Sequence, residues 1–430
     1  MYHKVLWCYL FILTLLDISL NTKLTAQGES HGVTIHESLV EGITFQEWGK
    51  ESGVDGLDGI DGGTEDIEGV SLEPRALKFG RSALAAPHSR TVTLTNTANT
   101  TLHLASVAGT TPDFHASFFE SKTLPPQGNT TFNVVYLGRR EGPVSAHLYI
   151  HTSLGVHKYP VSAVGEASEY GVWPLLGLRV PLNATVEPEL RLHNPTARTV
   201  QVREVYSSGA WLRLRLPGGG ARAPRDAWAV PPRSERALVL LRALPHQHAA
   251  LNQPLIAYVR IKADIPGGGL VVAVEARSVP AGEHARPLHV RLGARGSRDA
   301  PYTLALEAAN SGAAPAALAG GVRGAGCWRG APPPQPCAAP PPAPGPRRQN
   351  GAAAAGATLA LERTSLAPHQ PFTRVATLTL NYTELWAQTA GAGEAGEAWC
   401  AGCARLGRAH VPFSVRLLPG ALSFTPDHLE

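Results

Sequence analysis

Val92-Thr93-Leu94-Thr95-Asn96-Thr97-Ala98 is answered 98 residues later by Leu190-Arg191-Leu192-His193-Asn194-Pro195-Thr196. Each stretch alternates apolar and polar residues, runs into an Asn turn and re-emerges as a second strand, Thr101 to Ser106 and Thr199 to Val205. A weaker third copy, Leu306-Glu307-Ala308-Ala309-Asn310-Ser311-Gly312, begins 116 residues after the second. Strands with a period of two, separated by turn residues and repeating at a spacing of about 100 residues, are the pattern of tandem immunoglobulin-type β-sandwiches. The expected fold class is therefore all-β. Modules of this kind bind and space; they seldom catalyse.

A chain of 430 residues exceeds one hydrophobic core, and ordinary domain sizes suggest roughly three, in line with the three copies. Gly 44 and Pro 36 against 17% charged residues describe a turn-rich chain with few helix formers at helical spacing. Charge is unevenly placed. Glu29 to Glu73 carries twelve acidic residues and one basic, Lys50, whereas Pro74 onward carries 35 basic and 21 acidic. The basic excess is dispersed Arg without interleaved aromatics, which does not indicate a nucleic-acid partner.

The first 27 residues read as a signal peptide. His3 and Lys4 precede the apolar run Val5 to Leu16, and small and polar residues follow up to Ala26. A run of twelve residues, eleven of them apolar, falls short of the about 20 needed to cross a bilayer. Residues 28–70 read as a flexible acidic leader; its Gly53, Gly56, Gly59 and Gly62 triplets lack the proline of collagen, and no EF-hand carboxylate spacing is present. The first module is expected over 71–168, with strands at Leu77 to Phe79, Thr91 to Thr95, Leu102 to Val107, Thr131 to Leu137, His147 to Thr152 and Lys158 to Val164. The second covers 169–280, with strands at Glu189 to Leu192, Val200 to Tyr206, Ala237 to Leu241, Ile256 to Lys262 and Leu270 to Ala276. A third, decorated by a Pro/Ala-rich insert from Pro332 to Pro346, covers 281–420. Leu422-Ser423-Phe424 repeats the opening Leu77-Lys78-Phe79, so residues 421–430 are expected to start a further module.

Pro112-Asp113-Phe114-His115-Ala116-Ser117-Phe118-Phe119 and Leu124-Pro125-Pro126-Gln127-Gly128-Asn129-Thr130-Thr131-Phe132 resemble the first lumenal module of the transmembrane protein 131 family. Leu175-Leu176-Gly177-Leu178-Arg179-Val180-Pro181-Leu182-Asn183, Leu192-His193-Asn194-Pro195 and Tyr206-Ser207-Ser208-Gly209 extend the resemblance into the second, over about 71–280 in all. It fades after 286. The resemblance implies tandem PapD-like sandwiches on the lumenal side of the endoplasmic reticulum and early secretory pathway. It also implies a single-pass membrane anchor downstream of this chain, and newly made collagen or similar secretory chains as partners. Strand addition at an uncovered sheet edge is the physical mechanism that fits such a client. The rivals are an adhesion or matrix ectodomain and a thiol oxidoreductase.

Four sequons, at Asn99, Asn129, Asn183 and Asn381, are glycosylation candidates; Pro195 excludes Asn194. Phe114, Phe118 and Phe119 are candidate cargo contacts, with burial in the sandwich as the competing reading. His115 reads as a turn or surface residue, since no second ligand stands at metal spacing. Trp399-Cys400-Ala401-Gly402-Cys403 has the spacing of a thiol redox site but no helix start to lower a thiol pKa. Cys327, Cys337, Cys400 and Cys403 are disulfide candidates, and four cysteines allow three pairings. No catalytic residue, cofactor or metal is expected.

Overall fold

The computed structural model describes residues 22–25, 33–37, 68–217, 222–223, 228–243, 254–296, 299–329, 337, 356–388 and 398–418. Most of the sequence expected to be a signal peptide and an acidic leader lies outside these residues, as does 421–430. The two parts of the leading segment that are described are both strands, β1 (Thr22–Thr25) and β2 (Val33–Glu37).

The first module contains β3 (Val70–Glu73), β4 (Leu77–Ala83), β5 (His88–Asn96), β6 (Leu102–Gly109), β7 (Phe114–Ala116), β8 (Thr123–Leu124), β9 (Asn129–Tyr136), β10 (Gly142–Thr152) and β11 (Gly155–Glu166). These form a sheet ordered β3-β5-β9-β7 facing a sheet ordered β4-β11-β10-β6-β8. Alternation supplies the core: in β9, Thr130, Phe132, Val134 and Tyr136 point inward while Asn129 and Asn133 are exposed. The buried cluster runs from Val70 to Ala163 and closes within the module.

The second module contains β12 (Leu175–Pro181), β13 (Glu189–His193), β14 (Val200–Ser207), β15 (Leu212–Arg215), β16 (Arg222–Ala223), β17 (Ala229–Val230), β18 (Glu235–Ala243), β19 (Pro254–Ala263) and β20 (Gly269–Val279). Its sheets are β13-β18-β15 and β12-β20-β19-β14, the latter continued by β1, β2 and β16.

The third module contains β21 (Glu283–Arg286), β22 (Val290–Gly296), β23 (Tyr302–Asn310), β24 (Ala316–Ala317), β25 (Gly320–Arg329), β26 (Ala357–Leu361), β27 (Ser365–Leu366), β28 (Thr373–Leu380), β29 (Ala398–Leu406) and β30 (Ala409–Leu418). One short helix, α1 (Tyr382–Ala387), carries no sequence periodicity that would announce it. Its main sheets are β21-β23-β28-β26 and β22-β30-β29-β25. The opening of the first module recurs here. In each case one strand pairs antiparallel (β3, β21), an X-Pro bond follows (Pro74, Pro287), and the next strand joins the opposite sheet in parallel (β4 with β11, β22 with β30).

The three repeated Asn residues do one job. Asn96, Asn194 and Asn310 are buried. The Asn96 side-chain amide donates to the carbonyls of Thr100 (2.8 Å), Leu124 (3.0 Å) and Pro125 (3.0 Å), and its Oδ1 accepts from the Ala98 N–H. Asn194 donates to Arg198, Val230 and Pro231 and accepts from the Thr196 N–H; Asn310 donates to Ala314 and Ala367 and accepts from the Gly312 N–H. Each Asn therefore clamps its own turn and the turn that feeds the neighbouring strand: β9, β18 or β28. Those second turns share a left-handed residue, Gln127, Arg233 or His369, directly after a proline. Proline followed by a positive φ is the geometry of a type II turn.

The cysteines pair Cys327–Cys400 and Cys337–Cys403. Cys327 and Cys400 stand opposite each other in the β25–β29 register. The first bridge closes a sequence separation of 73, and a loop of that length gives about 4 kcal/mol by chain entropy. Reduction is therefore expected to lower the unfolding transition of the third module, followed by differential scanning calorimetry, while the transition of the first two stays in place. A common shift of all transitions would show that the bridges do not act locally.

Candidate strand-acceptor edge and the cysteine strand

Every sandwich sheet ends on strands with one unpaired side, and such sides accept further strands. On the first module the β7 edge is the one bordered by an exposed aromatic. Beyond β7 the chain still follows β9: the Ser117 N–H donates to Asn133 O (2.8 Å) and the Glu120 N–H to Thr131 O (3.2 Å). Because the Ser117 N–H turns toward β9, alternation turns the Ala116 N–H away from it. Phe118 is 59% exposed beside this edge, with Lys122 Nζ 5.9 Å from its ring centre.

Of the three Phe residues read as cargo contacts, only Phe118 faces outward. Phe114 is buried in the core, 5.2 Å from the Tyr136 ring and 5.9 Å from Phe79; Phe119 is buried edge-on against Phe132 at 5.4 Å. Phe114 sits on the inward parity of β7. Once the chain leaves the strand after Ala116 that parity breaks, and Phe119 turns in as Phe118 turns out.

His115 is neither a turn nor a free surface residue. It lies on β7, half-buried, with its ring edge-on to Tyr258 of β19 at 5.8 Å. Around it lies a joint between the first two modules. Buried Arg139 pairs with Glu275, its N–H donates to Asp113 Oδ1 (3.1 Å), and the Val271 N–H donates to Ala85 O (2.7 Å). Burial pushes Asp113 up against the pull of Arg139. Burial first, and then the Arg139 charge, lowers His115 to about 4.

Cys400 and Cys403 of the CxxC string are each bridged to another cysteine rather than to one another. Cys400 and Cys403 both lie on β29, three residues apart, and an odd spacing on a strand sends side chains to opposite faces. Cys400 belongs to the module core, whereas Cys403 reaches Cys337 in the insert. The two sulfurs cannot exchange a bridge with each other on this strand.

Asn99, Asn129 and Asn183 are exposed; Asn129 opens β9 rather than lying in a turn. Asn381 caps α1: its Oδ1 accepts from the Thr383 (3.1 Å) and Glu384 N–H groups, and its Nδ2 donates to Glu384 Oε1 (2.8 Å). No helix of the described residues is long and apolar enough to cross a membrane.

Residues 70–152 match the model described as "Transmembrane protein 131-like N-terminal", and residues 169–262 match "Transmembrane protein 131 second Ig-like domain". These two segments are similar to the first two modules of the transmembrane protein 131 family. It is 40% identical over 216 residues to the transmembrane protein 131 homolog of Drosophila melanogaster, which spans 50% of this chain and 14% of that protein. It is 36% identical over 249 residues to transmembrane protein 131 of Mus musculus, spanning 56% of this chain and 13% of the relative. Among solved structures, the ASH / PapD-like domain of human CEP192 aligns at 13% identity over 24% of this chain and 87% of that one, with a TM-score of 0.20. The fold assignment rests on the sheets themselves and on the family's Ig-like model.

The His115 environment gives a pH dependence with a definite sign. A His whose folded pKa lies below its unfolded value favours the folded state only while neutral. Stability of the first two modules should therefore be full above about pH 6.5 and fall as pH drops toward 4. Thermal melts of wild type and His115→Gln across that window check this. The wild type should lose more melting temperature than the variant, and parallel curves would remove His115 as the cause.

Proposed function

We propose that this chain is the cargo-binding part of an early-secretory-pathway adaptor, held on the lumenal side, that takes extended segments of newly made collagen or similar secretory chains by strand addition. It acts without catalysis. The observation that carries the reading is the Phe114–Glu120 edge, which pairs with β9 on one side only and has Phe118 exposed beside it. Backbone donors on such an edge supply affinity for any extended chain, and a neighbouring aromatic supplies selectivity. Similarity to the family supports the assignment to an adaptor, and the exposed sequons at Asn99, Asn129 and Asn183 suit a glycosylated lumenal protein.

The test is recovery of purified collagen propeptide by the chain. Ala116→Pro removes an outward donor without touching the ladder to β9, and edge strands tolerate proline. It should abolish recovery. Phe118→Ser removes only side-chain contact and should weaken binding about fivefold to tenfold, on the order of 1 kcal/mol. Undiminished binding by a folded Ala116→Pro protein would sink strand addition at this edge. No binding by the wild type would favour an adhesion or matrix role.

A further inference from the structure

The two main sheets of the third module carry charge differently. In the sheet β21-β23-β28-β26, Arg286 pairs with Glu307, and Arg374 pairs with Glu362 (2.8 Å). The four strands of the other sheet, β22-β30-β29-β25, hold six Arg and one His with no Asp or Glu. At one end of that sheet the Arg residues gather. Arg405 of β29 stands opposite His410 of β30, and Arg323 of β25 stands opposite Cys403. Arg323 and Arg405 are therefore diagonal neighbours, about 7–8 Å apart and within reach of long side chains. Gly321, directly opposite Arg405 on β25, adds no side chain beside them.

Parity puts this cluster on the outer face. Ala404, Leu406, Ala409 and Val411 lie in the core, so Arg405 and His410 turn away from it, and Arg323 is exposed. Arg179 of β12 joins them: Leu178–Pro188 forms one compact unit with the third module, and Arg179 is exposed. Burial first, and then the charges of Arg179, Arg405 and Arg323, lower the His410 pKa, so all three guanidinium groups act on one point. Among the described residues none of the three has a carboxylate partner, and the Arg405 Nε is buried without an acceptor. One carboxylate, Glu283, comes close to the β29–β30 hairpin, beside Gly407 at its turn. Three positive charges against one leave this end of the sheet attractive to anions.

We propose that Arg179, Arg323 and Arg405 form an anion site on the outer face of this sheet, and that its ligand is a sulfated glycosaminoglycan chain. Guanidinium forks match the paired oxygens of sulfate and carboxylate groups, and such a chain carries both at close intervals. A peptide added as a strand is disfavoured here. β25 is the edge of the sheet, Arg323 is exposed on it, and its register with β29 shifts directly after Arg323. Charges and bulges both blunt an edge. The choice of a glycan over a nucleic acid rests on the lumenal reading above; the anion site does not.

The experiment titrates the full chain with a heparin oligosaccharide, its desulfated counterpart, polyglutamate and a single-stranded oligonucleotide of similar length. Heparin should bind with an affinity that falls as salt is added, and it should move the NMR signal of the His410 ring. Arg323→Gln/Arg405→Gln should weaken that binding at least tenfold. Arg179→Gln/Arg323→Gln alters two exposed side chains only, and it should do the same if loss of Arg405 unfolds the module. Equal heparin affinity in a folded double variant, or an unmoved His410 signal, would overturn the site. The other three ligands should bind at least tenfold more weakly than heparin, and equal binding by any of them would overturn the sulfated glycan. Neither variant touches the β7 edge, so recovery of collagen propeptide tests the strand-addition reading separately.

Discussion

A buried Asn side chain holds each sandwich together at the point where it is most exposed to error. Asn96, Asn194 and Asn310 each end a strand, and each must satisfy carbonyls from two turns with one short amide. Only Asn fits. Asp has the shape but no donors, Gln is a methylene too long, and Ser offers a single donor. Without the clamp, buried carbonyls on both turns would lose their partners, at about 1–3 kcal/mol for each group left unsatisfied.

Fixing the turns in this way fixes the register of the pairs they connect. β5 meets β9 from His88↔Tyr136 to Thr95↔Asn129 without a shift, and the segment Phe114–Glu120 is left running along the outside of β9. The one-sided pairing of this edge is thus a consequence of the same constraint. The joint at Arg139 adds a second consequence: it seats Tyr258 against the His115 ring on the face of β7, while Phe118 beyond the strand stays exposed.

Much of this was legible in the sequence because it is written in side chains. The Asn phrase, the period of two in β9 and the module spacing are all residue-type signals. The clamp's partners were not legible, because they are backbone carbonyls of Leu124, Pro125, Val230, Pro231 and Ala367, which place little demand on residue type. A signal did exist: Pro125-Pro126-Gln127, Pro231-Pro232-Arg233 and Ala367-Pro368-His369 repeat a proline before a left-handed residue. Phe114 is buried because it keeps the inward parity of β7, whereas Phe118 and Phe119 could not be assigned by parity because it lapses after Ala116. The cysteine pairing needed the β25–β29 register, which no spacing rule supplies.

The central claim is that a buried amide, rather than general apolar burial, sets these modules. The most direct measurement compares Asn96→Asp with Asn99→Asp, an identical change three positions along on the exposed part of the same turn. Denaturant unfolding of the first module should lose about 3 kcal/mol or more with Asn96→Asp, from lost donors and a carboxylate facing carbonyls, and within about 0.5 kcal/mol with Asn99→Asp. Equal and small losses at both positions would contradict the account.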